Sequence, residues 1–251
     1  MEPPPPTSIV WYSTEHDATL QAEAIRSGFD GLHFNLLWRG ARQEITSPLV
    51  GMFNVSNILA AVAVGISYDV PLDVIARGIA ECRVVPGRFE RVDCGQPFLV
   101  AVDYAHTDDA LRNVLSTART LVAETKGRVI ALFGCGGDRD RTKRPLMGMA
   151  AAELSDFVVL TSDNPRSEDP LDIMNDAMVG LRRFDTPHVA EPDAPAPSFS
   201  AGKGGPGDVV VIAGKGHETY QVLRDQTIHF DDRETAREVL RALGHTQTDK
   251  A

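Results

Sequence analysis

No run of apolar residues in this 251-residue chain is long enough to cross a bilayer. The longest, residues 58–66 with its internal Gly65, is well short of the roughly 18 residues that a spanning helix needs. A basic start followed by an apolar stretch is also missing, and Met1-Glu2-Pro3-Pro4-Pro5-Pro6 reads instead as a short extended tail. A soluble, cytoplasmic protein is therefore expected. Basic blocks are absent too: 25 Lys and Arg against 35 Asp and Glu give a net charge of −10, which argues against nucleic acid or a membrane surface as partner and for small-molecule ligands. Cysteine is scarce. Cys82, Cys94 and Cys135 are odd in number and lack paired metal spacing, so free thiols in a reducing compartment are expected, none of them catalytic and none holding a metal. The chain has no internal repeat and no G-x-x-x-x-G-K-[ST] phosphate loop.

What is present divides in two. The length suits one large or two modest domains. In the first part, Ser8-Ile9-Val10-Trp11-Tyr12 and residues 31–38 read as strands. Asn54 is placed to cap a helix carrying Val55, Ile58, Leu59 and Val62, and Leu72, Ile75, Ala76 and Ile79 repeat the same period after Pro71. Val84-Val85-Pro86-Gly87 breaks that pattern, which places a domain boundary between residues 85 and 86.

From residue 86 onward, apolar runs alternate with helical patterns. Residues 98–102, 128–133, 157–160 and 209–213 are continuous apolar strands. Between and after them lie helices marked by Leu111, Val114, Leu115, Ala118, Leu121 and Val122, with Thr107 as cap; by Leu146, Met149 and Ala150; by Met174, Ala177, Met178 and Leu181, with Asp169 as cap and Pro170 in the first turn; and by Ala236, Val239, Leu240 and Leu243. Strands apolar throughout and separated by helices predict an α/β fold, a mostly parallel sheet with helices on both faces. Repeated proline over residues 191–206 predicts a mobile loop before the last strand.

Each of the four strands opens into a polar or glycine-rich segment: Asp103-Tyr104-Ala105-His106; residues 134–141, Gly-Cys-Gly-Gly-Asp-Arg-Asp-Arg; residues 161–170, with Asp163-Asn164-Pro165-Arg166; and Gly214-Lys215-Gly216-His217-Glu218. Ligands bind outside the carboxyl ends of such strands, so four segments on one edge predict a site more firmly than any one alone. Singly, each has a structural explanation. The glycines can form a tight turn. Arg139, Arg141, Lys143 and Arg144 can be a solvated face, although a guanidinium beside backbone N–H groups suits carboxylate or phosphate, which favours Arg139. Asp103 and His106 can be a polar strand end, and Asp163, Asn164 and Arg166 an Asx-type turn with a surface arginine. Packing alone does not ask for three ionisable side chains among the glycines of residues 214–218.

In their order, Asp103-Tyr104-Ala105-His106-Thr107, residues 133–145, Asp163-Asn164-Pro165-Arg166 and Ala213-Gly214-Lys215-Gly216-His217-Glu218 resemble the Mur ligase family. Residues 51–57 and Pro86-Gly87-Arg88-Phe89-Glu90 are similar to the helix start of that family's central domain and to its interdomain junction. The resemblance runs from about residue 8 to the end. It implies a partial central ATP-binding domain over residues 1–85 and a Rossmann-like amino-acid-binding domain over residues 86–251.

It also implies an ATP-dependent amide-bond ligase of peptidoglycan precursor synthesis, in which a glutamyl carboxylate is activated as an acyl phosphate and attacked by an amine. In that family an Asp-Asn-Pro-Arg loop goes with meso-diaminopimelate, whereas lysine-adding members carry another loop. By resemblance, Arg139, Asp163, Asn164, Pro165, Arg166, Gly214 and Glu218 hold the incoming amino acid, and Asp103, His106 and Arg88 are possible nucleotide or phosphate contacts. The chemistry agrees: the second amino-acid head of diaminopimelate asks for arginine at its carboxylate, which Arg139 and Arg166 supply, and carboxylate at its ammonium, which Asp163 and Glu218 supply. Asp108 stands where the family usually has proline, and the proline-rich stretch where it usually has a helix. ATP and Mg²⁺ are the implied cofactors, held in the family by a Walker loop that this sequence lacks. The chain is therefore expected to be the amino-acid-binding part of such a ligase and inactive by itself. The alternative is a non-catalytic binding module, or a subunit working with a separate ATP-binding chain.

Overall fold

The computed structural model describes residues 9–192 and 202–246. They form two compact units, divided between Val84 and Val85.

The first unit is a four-stranded sheet with two helices. Strands β1 (Tyr12–Ser13), β2 (Leu20–Gly28), β3 (Gly31–Trp38) and β4 (Ala41–Ser47) lie in that order, β1 parallel to β2 and the others antiparallel. Sequence reasoning found β3 and missed β2 and β4. Arg42, Gln43 and Glu44 make β4 too polar to register as a strand, and β2 is interrupted by a bulge between Glu23 and Arg26, with Ala24 at a φ of 51°. The strand expected at residues 8–12 is reduced to β1, and Ile9 and Trp11 are exposed rather than buried in a sheet.

Helix α1 (Met52–Ser67) lays Val55, Ile58, Leu59 and Val62 onto Leu20, Leu32, Phe34, Leu36 and Ile45 of the sheet. Helix α2 (Leu72–Glu81) adds the partly buried Leu72, Ile75, Ala76 and Ile79. Each fully buried aliphatic side chain of this kind stabilises by about 1.5–3 kcal/mol. Asn54 is not the cap of α1. The cap position is Gly51, at a φ of 93°, and Asn54 sits inside the first turn, where its Nδ2 donates to the Val50 carbonyl at 2.8 Å.

The second unit is a six-stranded sheet built from β5 (Glu90–Val92), β6 (Leu99–Asp103), β7 (Val129–Cys135), β8 (Phe157–Ser162), β9 (His188–Glu191) and β10 (Val209–Ala213). The spatial order is β5-β6-β10-β7-β8-β9, parallel except for β5. The last strand of the sheet thus fills the slot between β6 and β7, with Val211 opposite both Ala101 and Ala131. One face of the sheet, including Val100, Val102, Ile130, Leu132, Val210 and Ile212, packs with Ala236 and Leu240 of α6 (Asp232–Ala242). Helices α3 (Asp108–Thr125), α4 (Lys143–Leu154) and α5 (Pro170–Leu181) follow β6, β7 and β8 and cover the sheet as crossover connections do. An antiparallel hairpin, β11 (Tyr220–Val222) with β12 (Thr227–His229), was not foreseen.

Two caps are as expected: the Thr107 hydroxyl accepts from Ala110 N–H at 3.2 Å and the Asp169 carboxylate from Leu171 N–H at 2.8 Å. Asp108 and Asp109 stand in the first turn of α3, where negative charge complements the helix dipole. Leu146 and Leu243 do not belong to the core. Both are exposed, and α4 packs inward through Met147, Ala150 and Ala151, so that Ala150 is buried as expected and Leu146 is not. The expected proline-rich loop falls largely on residues 193–201, outside the described residues, while its first residue, Glu191, ends β9 opposite Thr161.

Candidate functional site

Because β10 lies between β6 and β7, the segments leaving β6, β10, β7 and β8 are neighbours along one sheet edge. Asp103 and Gly214 are joined directly, Gly214 N–H donating to the Asp103 carbonyl at 3.0 Å.

The segment after β8 is held from three sides. On the first, Gly137 N–H donates to the Asn164 carbonyl at 2.9 Å, and a Cβ on Gly137 would lie 1.9 Å from the Pro165 carbonyl oxygen, so only glycine permits this approach. On the second, strand β11 runs along the segment: Val222 N–H donates to Asn164 Oδ1 at 2.9 Å, Arg166 N–H to the Val222 carbonyl at 3.1 Å, and the Gln221 amide to the Asp163 carbonyl. On the third, Lys215, only 5% exposed, places Nζ 3.0 Å from Asp163 Oδ1, 3.0 Å from Asn164 Oδ1 and 3.9 Å from Glu218 Oε2. The Asn164 Nδ2 donates in turn to Glu218 Oε2 at 3.3 Å.

Asp163, Asn164, Pro165, Arg166, Gly214 and Glu218 are thereby brought together, with Asn164 and Pro165 buried and Asp163, Arg166 and Glu218 half-buried. Arg166 adopts a φ of 52°, and its Nη1 donates to the Gly137 carbonyl at 2.7 Å, which turns the guanidinium toward the glycine loop. Arg139 is exposed on that loop. It shares the surroundings of Gly136 with Arg166: a Cβ there would lie 3.0 Å from Arg166 Nη1 and 3.7 Å from Arg139 Cγ. The Arg166 guanidinium and the stem of Arg139 therefore border the same glycine loop, while Lys215 and Glu218 meet the Asn164 side chain.

Of the residues expected near a nucleotide or phosphate, Asp103 is turned inward. Its Oδ2 accepts from Phe89 N–H at 2.7 Å, and burial raises its carboxyl above the ordinary range. Arg88 and His106 lie around Tyr104, with the Arg88 guanidinium carbon 5.6 Å from the ring centre and the His106 ring at 4.7 Å. The His217 ring lies against the same phenol, tilted, with ring centres 5.0 Å apart.

Arg144 is not part of a solvated face. It is 2% exposed and holds Glu168 and Asp176, and Glu168 also accepts from Asp138 N–H at 2.6 Å, so a buried ion pair braces the glycine loop to the segment after β8. The guanidinium and this backbone donor hold the Glu168 carboxyl down at about 2. Sequence reasoning gave no role to Gln221 or Val222 and none in particular to Lys215. The only signal was a lysine between two glycines at a strand exit.

Residues 87–216 match the Mur ligase glutamate ligase domain and residues 2–65 the Mur ligase middle domain. The chain belongs to the Mur ligase family. It is 63% identical over 243 residues to the UDP-N-acetylmuramoyl-L-alanyl-D-glutamate–2,6-diaminopimelate ligase of Solibacter usitatus (strain Ellin6076), covering 96% of this chain and 49% of that protein. The enzyme of the same name from Bacillus licheniformis is 46% identical, over 94% of this chain and 47% of its own length. A solved structure of a ligase so named is similar with a TM-score of 0.72 at 38% identity, over 94% of this chain and 48% of that one. The chain thus spans about half the length of the relatives it matches.

Proposed function

We propose that this chain carries the amino-acid-selecting part of an ATP-dependent ligase that joins meso-diaminopimelate to UDP-N-acetylmuramoyl-L-alanyl-D-glutamate. Residues 1–85 are read as part of the central domain of such a ligase and residues 86–251 as its amino-acid-binding domain, a boundary one residue from the division between the two compact units. The observation that carries the proposal is the Asp163-Asn164-Pro165-Arg166 segment, whose Arg166 guanidinium meets the glycine loop that carries Arg139 and whose Asn164 side chain meets Glu218. A zwitterionic head fits this arrangement: its carboxylate faces Arg139 and Arg166, and its ammonium faces Glu218. Lysine would leave the arginines without a carboxylate, and a site built to pair a polar group penalises a ligand that lacks it.

Held by that distal head, the other amine of diaminopimelate is presented for acyl transfer, and positioning supplies much of the rate in a reaction of this kind. Bound ATP and Mg²⁺ would supply the activation of the glutamyl carboxylate. Among the described residues no group of three or more His, Cys, Asp or Glu can hold a metal ion, and the sequence has no Walker loop, so neither is assigned to residues here. With this reading goes the cytoplasmic location expected from the sequence. Among the described residues no helix is long and apolar enough to cross a membrane.

Titration of the ¹⁵N-labelled chain with meso-diaminopimelate tests the reading, since chemical shifts report even millimolar binding. Shifts at Asn164, Arg166 and Glu218 are expected, and their absence at tens of millimolar ligand would sink it. Incubation with ATP, Mg²⁺, the UDP-muramoyl dipeptide and diaminopimelate should give no product from this chain alone, and product once a chain carrying a Walker loop is added.

A further inference from the structure

Of the two carboxylates expected to meet a ligand's ammonium, Asp163 already has an ammonium of the protein's own, that of Lys215. Lys215 Nζ has two bonds of 3.0 Å, to Asp163 Oδ1 and Asn164 Oδ1, and lies 5.9 Å from the Phe230 ring centre. At 5% exposure it has little water to replace these partners, and an unpaired charge at such a place is strongly disfavoured. Glu218 is held differently. It stays 3.9 Å from Nζ and has a longer bond, 3.3 Å, from Asn164.

Resting on the diaminopimelate reading, we propose that Lys215 sets the charge balance of the pocket: its ammonium takes up Asp163 and orients Asn164, leaving Glu218 as the one carboxylate open to a ligand's ammonium. A ligand gains one ammonium contact and must earn the rest of its affinity through a carboxylate at Arg139 and Arg166. Lysine cannot do so, because the place of a second ammonium is filled from within. The buried Asp232 stands within electrostatic reach of Lys215 and Asp163. Its carboxyl is pushed up to about 7 by burial, partly offset by Lys215, so near neutrality it is only part-ionised and competes less for the Lys215 ammonium than Asp163 does. Lys215 is thus a positioning residue, acting through Asp163 and Asn164 rather than on the reacting atoms.

Calorimetry and NMR titration of the full chain with meso-diaminopimelate and with L-lysine test this, using the native chain, Lys215→Met and Lys215→Ala. The native chain should prefer diaminopimelate, and Lys215→Met should lower that preference at least tenfold by opening a second carboxylate to ammonium. In Lys215→Ala, added n-propylammonium should restore the preference and n-propanol should not. Should the native chain bind neither ligand, the diaminopimelate reading itself fails and the proposal with it. If the native chain binds diaminopimelate but Lys215→Met weakens both ligands equally, or n-propanol rescues as well as the cation, Lys215 is merely structural and the proposal is overturned. If neither variant folds, the Lys215 side-chain ¹⁵N signal of the native chain decides: it should be protected from exchange and shift on adding diaminopimelate, and an unprotected or unmoved signal overturns the proposal.

Discussion

Arg144 grips both oxygens of Glu168, Nη2 to Oε1 at 2.7 Å and Nη1 to Oε2 at 3.0 Å, from a position almost wholly out of solvent. Through Glu168 and Asp138 the pair ties the loop after β7 to the segment after β8. It adds to the bonds that Gly137 makes with Asn164 and Arg166 between the same two arms of the candidate site.

Replacing the guanidinium, as in Arg144→Met, should cost about 2–4 kcal/mol, below the full cost of stranding a buried charge because Glu168 and Asp176 keep partial access to water. Denaturant unfolding measures it. The acid limb should change as well. Glu168 is depressed in the folded state, so its contribution is present above the ordinary carboxylate range and is lost as pH falls toward about 2, and the variant should lose that dependence.

Asp232 works in the opposite sense. A carboxyl raised to about 7 by burial binds a proton in the folded chain that the unfolded chain has already released. Its contribution to stability therefore falls as pH rises from about 4 to about 7 and is constant above that. Asp232→Asn should flatten this slope and make the variant more stable than the native chain at pH 8, by on the order of 3 kcal/mol if the amide finds partners. Thermal melts at matched pH values check both the slope and its sign.

Strand β11 offers a way to disturb the site with little effect on the core. Val222→Pro removes the N–H that Asn164 Oδ1 accepts, on a hairpin that is only partly buried. Stability should drop by about 1–2 kcal/mol, while diaminopimelate binding falls at least tenfold. Equal binding by this variant would show that Asn164 is held well enough by Lys215 and Glu218.

Gly137→Ala places a methyl group 1.9 Å from the Pro165 carbonyl oxygen, a backbone atom that cannot swing aside. The loops must separate, at a cost of about 1–3 kcal/mol, and Arg166 loses its bond to the residue 137 carbonyl. Binding and stability should fall together here, unlike the outcome for Val222→Pro.

For Arg166→Lys in a complete ligase, the charge survives but the planar fork does not. Use of diaminopimelate should fall by one to two orders of magnitude, about 1.4–3 kcal/mol, through a raised KM. Undiminished use would remove Arg166 from the proposed carboxylate contact.

Periodicity and capping are local, and most of them were readable, Asn54, Leu146 and Leu243 apart. Thr107, Asp169 and Pro170 start their helices as expected, and the continuous apolar runs of β6, β7, β8 and β10 already implied a sheet covered on both faces. The four polar segments at the strand ends, and the resemblance they carry, likewise needed only sequence. Pairing order and the fate of charged side chains did not follow, because both depend on residues far apart in the chain. Nothing near residues 209–213 says that this strand enters between β6 and β7, yet that placement sets Lys215 beside Asp163, 52 residues away. Arg144 has the local look of a surface arginine and becomes a buried brace because Glu168, 24 residues on, folds back over it. The sequence by itself determined which segments could meet a ligand. Tertiary structure decided their neighbours, since the burial of a charge is settled by the partners that packing brings to it.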